Sequence, residues 1–126
     1  MINGINSREM ILEILLEIEE GEHSHVAIRN ALSKYQFLPK QDRAFITRVC
    51  EGTLEYRIQI DYIINSFSKV TVDKMKPAIR EILRSAVYQL KYMDSVPDSA
   101  VCNESVKLAQ RKGFYNLKGF VNGVLR

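Results

Sequence analysis

The sequence predicts an all-α fold, a single-domain bundle of about six or seven helices around one core. Apolar residues recur at helical spacing along most of the chain, and no stretch alternates cleanly with period two. The length of 126 residues suits one domain. A composition of 46% hydrophobic and 26% charged residues is typical of an ordinary soluble domain that buries its own core.

The first two helices have recognisable ends. Asn6 is placed to cap the first helix, and Glu9, three residues later, completes a capping box. Gly21 is expected to end this helix, because glycine readily adopts the backbone conformation that closes a helix C-terminus. A second helix is expected after Ser24.

The middle of the chain carries the strongest helical pattern. Pro39 suits the first turn of a third helix, where its missing N–H costs nothing. The periodicity over residues 40–67 leaves open whether one helix or two cover them. Residues 76–92 form the clearest amphipathic helix, whose inward stripe consists of Ile79, Ile82, Leu83, Ala86, Val87 and Leu90.

Two further helices complete the predicted bundle. The sixth follows Pro97, ends at Gly113 and turns Val101, Ser105, Val106 and Ala109 inward. Asn116 is placed to cap the last helix. That helix directs apolar residues at the core: Leu117, Phe120, Val121, Val124 and Leu125.

Positive charge is concentrated in the back half of the chain. Residues 1–60 carry seven Lys and Arg against nine Asp and Glu, whereas residues 61–126 carry eleven against six. This asymmetry favours a polyanion as the partner of the back half. No window is apolar enough for a membrane span, the first residues lack the pattern of a secretory signal, and two cysteines fit a reducing compartment. We therefore expect a cytoplasmic protein with no membrane partner.

Familiar catalytic and cofactor motifs are missing from the sequence. The six glycines form neither a GxGxxG motif nor a P-loop, which argues against a nucleotide site within these residues. His23 and His25 form an HxH pair with no third ligand spaced nearby, so two solvated loop histidines are expected rather than a metal site. Cys50 and Cys102 lie in predicted helices among apolar neighbours, and we expect them to pack in the core.

Candidate RNA-contacting residues are cations expected on one basic surface. The side of the 76–92 helix away from its apolar stripe carries three of them, and the helices at the two ends of the chain supply the others. An ordinary solvated cationic face is the alternative, because Lys and Arg commonly occupy exposed helix surfaces. The candidates are Arg8, Arg80, Arg84, Lys91 and Lys118, with Arg126 beside them.

A second group of candidates lies beside the apolar stripes of the last two helices. Asn103, Glu104 and Asn122 are polar at positions close to the core, where a side-chain amide braces helices or faces a ligand. Gly119 and Gly123, four residues apart, allow close approach by a neighbouring helix or a partner.

Five strings in the sequence resemble the signatures of one known family. Residues 96–109 read VPDSAVCNESVKLA, which resembles the VP-x(5)-NE-x-V-x-LA signature of the NusB-like domain family, and residues 120–125 read FVNGVL, which resembles its closing motif. Residues 42–45 (DRAF), 52–54 (GTL) and 79–90 (IREILRSAVYQL) precede them in the family's order. The resemblance covers nearly the whole chain and implies an all-α bundle of about seven helices.

The family has two branches, and several strings resemble the branch of RsmB/Sun-type methyltransferases. One branch is the free-standing antitermination factor, which binds box A RNA with a small-subunit ribosomal protein. The other is the N-terminal domain of enzymes that make 5-methylcytosine in small-subunit rRNA. The antitermination branch typically opens with an arginine-rich helix, whereas here Arg8 is the only cation before Gly21. The strings that resemble the enzyme branch include NSRE at 6–9, Tyr56-Arg57 after GTL, and Lys118-Gly119-Phe120.

The resemblance implies a division of labour within a longer protein. We expect residues 1–126 to be a NusB-like RNA-binding domain and an N-terminal fragment of a methyltransferase, with no catalytic residue, metal or cofactor of its own. S-adenosylmethionine and the catalytic cysteines would belong to a domain beyond residue 126, so Cys50 and Cys102 inherit no catalytic role. Arg8, Arg80 and Arg84 carry over as RNA contacts, and Asn103 and Asn122 as structural motif residues.

The expected function is to position small-subunit rRNA for that following domain. Phosphates would be held by cations and helix N-termini, without chemistry on the base. A transcription antitermination factor that binds box A RNA with a ribosomal protein is the alternative. A protein–protein docking module is a third, because the front half of the chain is net acidic.

Overall fold

The computed structural model describes residues 6–114 and 118–125, with only the backbone of Lys118, and it confirms the predicted all-α fold. Seven α-helices, joined by short loops, make up the described part of the chain, and a single 3₁₀ turn (Val72–Lys74) precedes the fifth. The helices are α1 (Ser7–Glu19), α2 (Ser24–Lys34), α3 (Lys40–Glu55), α4 (Arg57–Phe67), α5 (Pro77–Tyr92), α6 (Asp98–Arg111) and α7 (Lys118–Leu125).

The helix ends follow the local chemistry of the sequence. The backbone N–H of Glu9 donates to Oδ1 of Asn6 at 2.8 Å, which confirms the predicted N-cap of α1. Gly21 has a φ of +114°, in the left-handed region that favours glycine, and α2 begins three residues later at Ser24. The predicted cap at Asn116 and the inward Leu117 lie outside the described residues.

Residues 40–67 form two helices, which settles the question that periodicity left open. The break falls at Tyr56, whose φ of −102° and ψ of 20° depart from helical values. The backbone N–H of Tyr56 still donates to the carbonyl of Gly52 at 3.0 Å, and the N–H of Ile60 donates to the carbonyl of Tyr56 at 2.8 Å. The chain therefore changes direction at Tyr56 with little loss of backbone hydrogen bonding.

Helix α5 is the centre of the bundle rather than an amphipathic surface helix. It packs against α1, α3, α4, α6 and α7, and residues 81–89 are all buried. Leu83, in the middle of the predicted stripe, is fully buried, as the sequence pattern predicts. The opposite side of α5 is also covered, although it carries charged residues. Within the ranges that the structure describes, none of the helices is both long and apolar enough to cross a lipid bilayer.

Candidate functional site

The two arginines predicted to face RNA on α5 are enclosed by carboxylates. Arg84 donates from Nε and Nη2 to the two carboxylate oxygens of Asp61, at 2.8 and 2.9 Å, and from Nη1 to Oε2 of Glu81 at 2.6 Å. Arg80 donates from Nε to Oε2 of Glu19 at 2.9 Å, and its Nη2 forms a second, shorter bond to the other oxygen. These five residues are called the ion-pair cluster below.

The ion-pair cluster corrects the expectation of an open cationic face at Arg80 and Arg84. Arg84 is only 7% exposed, and its guanidinium is held by acids from α4 and from α5 itself. Bidentate arginine–carboxylate pairs of this kind fix geometry as well as charge. The cluster therefore joins α1, α4 and α5, and neither arginine presents a free charge to a phosphate.

Within the ion-pair cluster, two carboxylates titrate in opposite directions. Burial and the nearby Glu19 raise the pKa of Glu81 to about 8, whereas hydrogen bonds from Arg80 and Glu81 outweigh partial burial and lower the pKa of Glu19 to about 2. Of the two carboxyls, Glu81 is the one that favours the protonated form, because its side chain is the more buried. Arg80 and Arg84 are the charged groups that contact the pair, and Asp61 contacts Arg84 from the other side.

Arg80 also holds the loop between α4 and α5 in place. Its Nη1 donates to the carbonyl of Met75 at 3.0 Å and to that of Val72 at 3.4 Å. Residues 68–76, called the lysine loop below, carry Lys69, Lys74 and Lys76, which are all exposed. Among the residues that the structure describes, none of the three lysines has a carboxylate within ion-pair distance.

The lysine loop is a candidate contact surface that the sequence analysis does not single out. Three lysines within eight residues are the sequence signal for this surface. A hollow of about 190 Å³ lies against the loop, lined by Val70, Lys74, Met75, Lys76, Ile79 and Phe120. Phe67, at the end of α4, is 72% exposed and Val70 is 41% exposed. The loop thus combines three lysines that form no direct ion pair with accessible apolar surface, and its one carboxylate is Asp73, whose pKa is lowered mainly by a hydrogen bond from Thr71 and to a lesser extent by Lys74.

Of the remaining predicted cations, Arg126 lies outside the described residues, and the other three lie in different settings. Arg8 is half-buried, with its guanidinium carbon 5.4 Å from the centre of the Phe45 ring, and burial lowers its pKa. Lys91 is exposed at the end of α5, with Nζ 6.0 Å from the centre of the Tyr92 ring. Lys118 is the first residue of α7, two residues before Phe120 in the hollow, and its side chain lies outside the described atoms.

The motif residues of α6 and α7 are less buried than expected. Asn103 is exposed, so the predicted buried amide is wrong there, while Asn122 is half-buried. Glu104 is half-buried and pairs with Lys107 at 3.5 Å on the same helix. Gly123 is exposed, and a methyl group at Gly119 or Gly123 would meet no described atom within 4 Å. Close approach by one of the described helices therefore does not explain either glycine.

The histidines and cysteines were expected to have structural or solvated positions. His23 and His25 are exposed, and the described residues contain no group of three or more His, Cys, Asp and Glu placed to hold a metal ion. Cys50 is fully buried, and burial raises the pKa of its thiol to about 12, so it is not a reactive thiolate at neutral pH. Cys102 is half-buried, and its thiol donates to the carbonyl of Leu125 at 3.7 Å.

Solved structures show that this arrangement of helices is a known fold. The structure of antitermination factors NusB and NusE in complex with dsRNA aligns with a TM-score of 0.85 at 21% identity, covering 94% of this chain and 89% of the other. The NusB structure from T. maritima aligns with a TM-score of 0.84 at 24% identity, covering 94% of this chain and 84% of the other. At these identities the likeness shows a common fold.

Sequence comparison identifies relatives of two kinds. The probable ribosomal RNA small subunit methyltransferase B of Bacillus subtilis (strain 168) is 33% identical over 119 residues, which cover 94% of this chain and 26% of that protein. The transcription antitermination protein NusB of Bacillus velezensis (strain DSM 23117 / BGSC 10A6 / LMG 26770 / FZB42) is 33% identical over 120 residues, which cover 94% of this chain and 89% of that protein. The chain thus spans about a quarter of the methyltransferase relatives it matches. The sequence profile described as the NusB family matches residues 5–126, and the chain belongs to that family.

Proposed function

We propose that this chain is an RNA-binding domain whose phosphate contacts come from the lysine loop. The observation that carries the proposal is the position of Lys69, Lys74 and Lys76, which are exposed and have no ion-pair partner among the described residues. Lysines that neutralise backbone phosphates release the counterions condensed on the RNA, and this release supplies much of the affinity. A NusB relative of the same fold has been solved with dsRNA, which supports the choice of ligand.

In this proposal the ion-pair cluster has a positioning role. Arg80 holds the carbonyls of Val72 and Met75, so the lysines project from a fixed turn rather than a free loop. Preorganised cations lose less conformational entropy on binding than cations on an open coil. We therefore assign the RNA contacts to the lysines of the loop that Arg80 supports, in place of Arg80 and Arg84.

The target that we propose is small-subunit rRNA, presented to a following S-adenosylmethionine-dependent cytosine-5 methyltransferase domain. Two relatives named as probable rRNA small subunit methyltransferase B, 33% and 35% identical to this chain, support this branch. Helix α1 supports it as well, because Glu13 and Glu17 are exposed whereas Arg8 is half-buried against Phe45. An acidic first helix is poorly suited to the phosphate contacts of an arginine-rich one. Methyl transfer would then belong to another domain, and this chain would supply RNA contacts only.

A transcription antitermination factor is the second candidate function. The observation in its favour is sequence similarity, because 94% of this chain aligns at 33% identity with the Bacillus velezensis antitermination protein. In that case the chain would bind box A RNA and gain affinity when the ribosomal protein partner is present, as the solved complex of NusB with NusE suggests.

One binding experiment separates these candidates. Fluorescence anisotropy with a labelled small-subunit rRNA fragment and with a box A RNA is measured from about 50 to 200 mM salt, with and without NusE. The proposal predicts salt-sensitive binding that is tighter to the rRNA fragment and unchanged by NusE. Tighter binding to box A RNA that NusE strengthens would favour the antitermination factor. If neither RNA binds at low salt, RNA binding is refuted and protein docking becomes the better hypothesis.

A further inference from the structure

Three tyrosine rings stack where the break after α3 meets the end of α5. The ring centres of Tyr56 and Tyr92 are 4.5 Å apart with planes 18° from parallel, and those of Tyr88 and Tyr92 are 5.3 Å apart at 28°. Tyr88 is buried, Tyr92 is half-buried and Tyr56 is 37% exposed, so the stack leads from the core to the surface. These three residues are called the tyrosine stack below.

The tyrosine stack is fixed from beneath. A methyl group at Gly52 would lie 2.1 Å from the Tyr88 ring. The ring can therefore pack against α3 only because residue 52 is glycine. The hydroxyl of Tyr92 donates to the side-chain carbonyl of Gln59 on α4. The outer tyrosine, Tyr56, occupies the break between α3 and α4. Its ring stacks on Tyr92, and the residue as a whole remains 37% exposed.

Three exposed cations lie close to Tyr92 or next to Tyr56 in the chain. Arg48 is exposed and donates from Nη2 to the carbonyl of Tyr92 at 3.1 Å, which leaves its other N–H groups available. Lys91 has Nζ 6.0 Å from the centre of the Tyr92 ring, and Arg57 follows Tyr56 in the chain and is also exposed. An aromatic ring flanked by cations suits a nucleotide, which offers a base to stack and a phosphate to pair.

A groove of about 610 Å³ along α3 opens beside the tyrosine stack and is within the size range of a small-ligand pocket. Arg48 and Tyr88 line one part of it, with Lys40 and Arg43 further along. The carboxylates of Glu51 and Glu55 line the same groove and would repel a phosphate chain that ran its full length. Phosphate contact is therefore favoured at the Arg48 and Lys91 end, next to the rings.

We propose that the tyrosine stack is a platform for an unpaired base of single-stranded RNA, with Tyr56 against the base and Arg48 and Lys91 against the neighbouring phosphates. The inference rests on the proposed RNA-binding function and assigns it a second contact surface, at the opposite end of the α4–α5 hairpin from the lysine loop. A base within a duplex is already stacked on both faces, so this platform discriminates in favour of unpaired RNA. Stacking depends little on base identity, so the platform adds affinity rather than sequence specificity.

The test compares Tyr56→Leu with Tyr56→Phe and with Tyr62→Leu, a control at a tyrosine on α4 that is 75% exposed. Anisotropy is measured on an unpaired 12-nucleotide RNA and on its duplex, at several salt concentrations. We expect Tyr56→Leu to weaken binding to the single strand by roughly 5- to 100-fold, the range that loss of one stacked base gives. Binding to the duplex, the salt dependence, and the affinities of Tyr56→Phe and Tyr62→Leu should stay at wild-type values.

The outcomes separate this inference from the proposed function. If the wild type binds RNA and Tyr56→Leu binds the single strand equally well, the platform is refuted while RNA binding stands. If the wild type binds neither RNA, the proposed function itself fails and takes the platform with it. If Tyr56→Leu does not fold, photo-crosslinking of the wild type to 4-thiouridine RNA decides. Crosslinks at Tyr56 or Tyr92 support the platform, and crosslinks confined to the lysine loop or to other residues refute it. Capture of a peptide at the tyrosine stack with no RNA crosslink would mark it as a protein-docking surface instead.

Discussion

Replacing Arg84 with leucine is the most informative perturbation of the fold, because this arginine was first expected to contact RNA. It makes three charge-assisted hydrogen bonds, two to Asp61 and one to Glu81. Breaking a buried ion pair by removing one partner costs about 3–5 kcal/mol. The cost of Arg84→Leu should lie near the lower end, about 3 kcal/mol, because Glu81 already favours its protonated form and the partly exposed Asp61 can regain water.

Urea unfolding followed by circular dichroism measures this loss directly, as a lower midpoint with an unchanged slope. The triple variant Arg84→Leu/Asp61→Asn/Glu81→Gln removes the stranded charges and should recover much of the stability. Lys74→Gln is the matched control on the exposed lysine loop and should change stability by less than about 0.5 kcal/mol. A loss below about 1 kcal/mol for Arg84→Leu would refute the bracing role of the ion-pair cluster.

Other predictions concern packing and pH. Gly52→Ala should destabilise the fold by about 1–3 kcal/mol, because the added methyl group overlaps the Tyr88 ring. Gly123→Ala, whose methyl group meets no described atom, should be neutral or stabilise by about 0.5 kcal/mol. Thermal melts of both variants test this, and equal effects would contradict it. Leu83→Ala should cost about 2–5 kcal/mol in urea unfolding, because its side chain is fully buried, and a loss under about 0.5 kcal/mol would contradict the packing. The pKa of Glu81 is raised to about 8, so the folded state binds a proton that the unfolded state loses near pH 5. The free energy of unfolding should therefore fall as pH rises from about 5 to 8. Glu81→Gln should flatten this dependence on pH, and an unchanged dependence would show that another group titrates.

The sequence was sufficient for the fold because the local signals agree with one another. Asn6 caps α1 through the N–H of Glu9, and Leu83 lies at the centre of the core, as its periodic pattern predicts. The break at Tyr56 was not predictable, since the apolar period continues through it and the backbone hydrogen bonds are kept.

The candidate site could not be read from periodicity alone. Charged residues opposite an apolar stripe usually face water, so the pattern predicts an open surface at Arg80 and Arg84. The charges of these arginines are neutralised by Glu19 on α1 and Asp61 on α4. Both carboxylates are distant in sequence and contact the arginines only after the helices pack. The lysine loop could be recognised as unpaired only once those partners were known.

The salt dependence of RNA binding tests the central claim most directly. The wild type and the variant Lys69→Gln/Lys74→Gln/Lys76→Gln are compared by anisotropy on one small-subunit rRNA fragment, and the logarithm of the association constant is plotted against that of the salt concentration. Each lost phosphate contact should reduce the slope by about 0.7–0.9, so a reduction of about 2 or more is predicted if all three lysines bind. An unchanged slope, with binding otherwise intact, would show that the lysine loop does not hold the RNA.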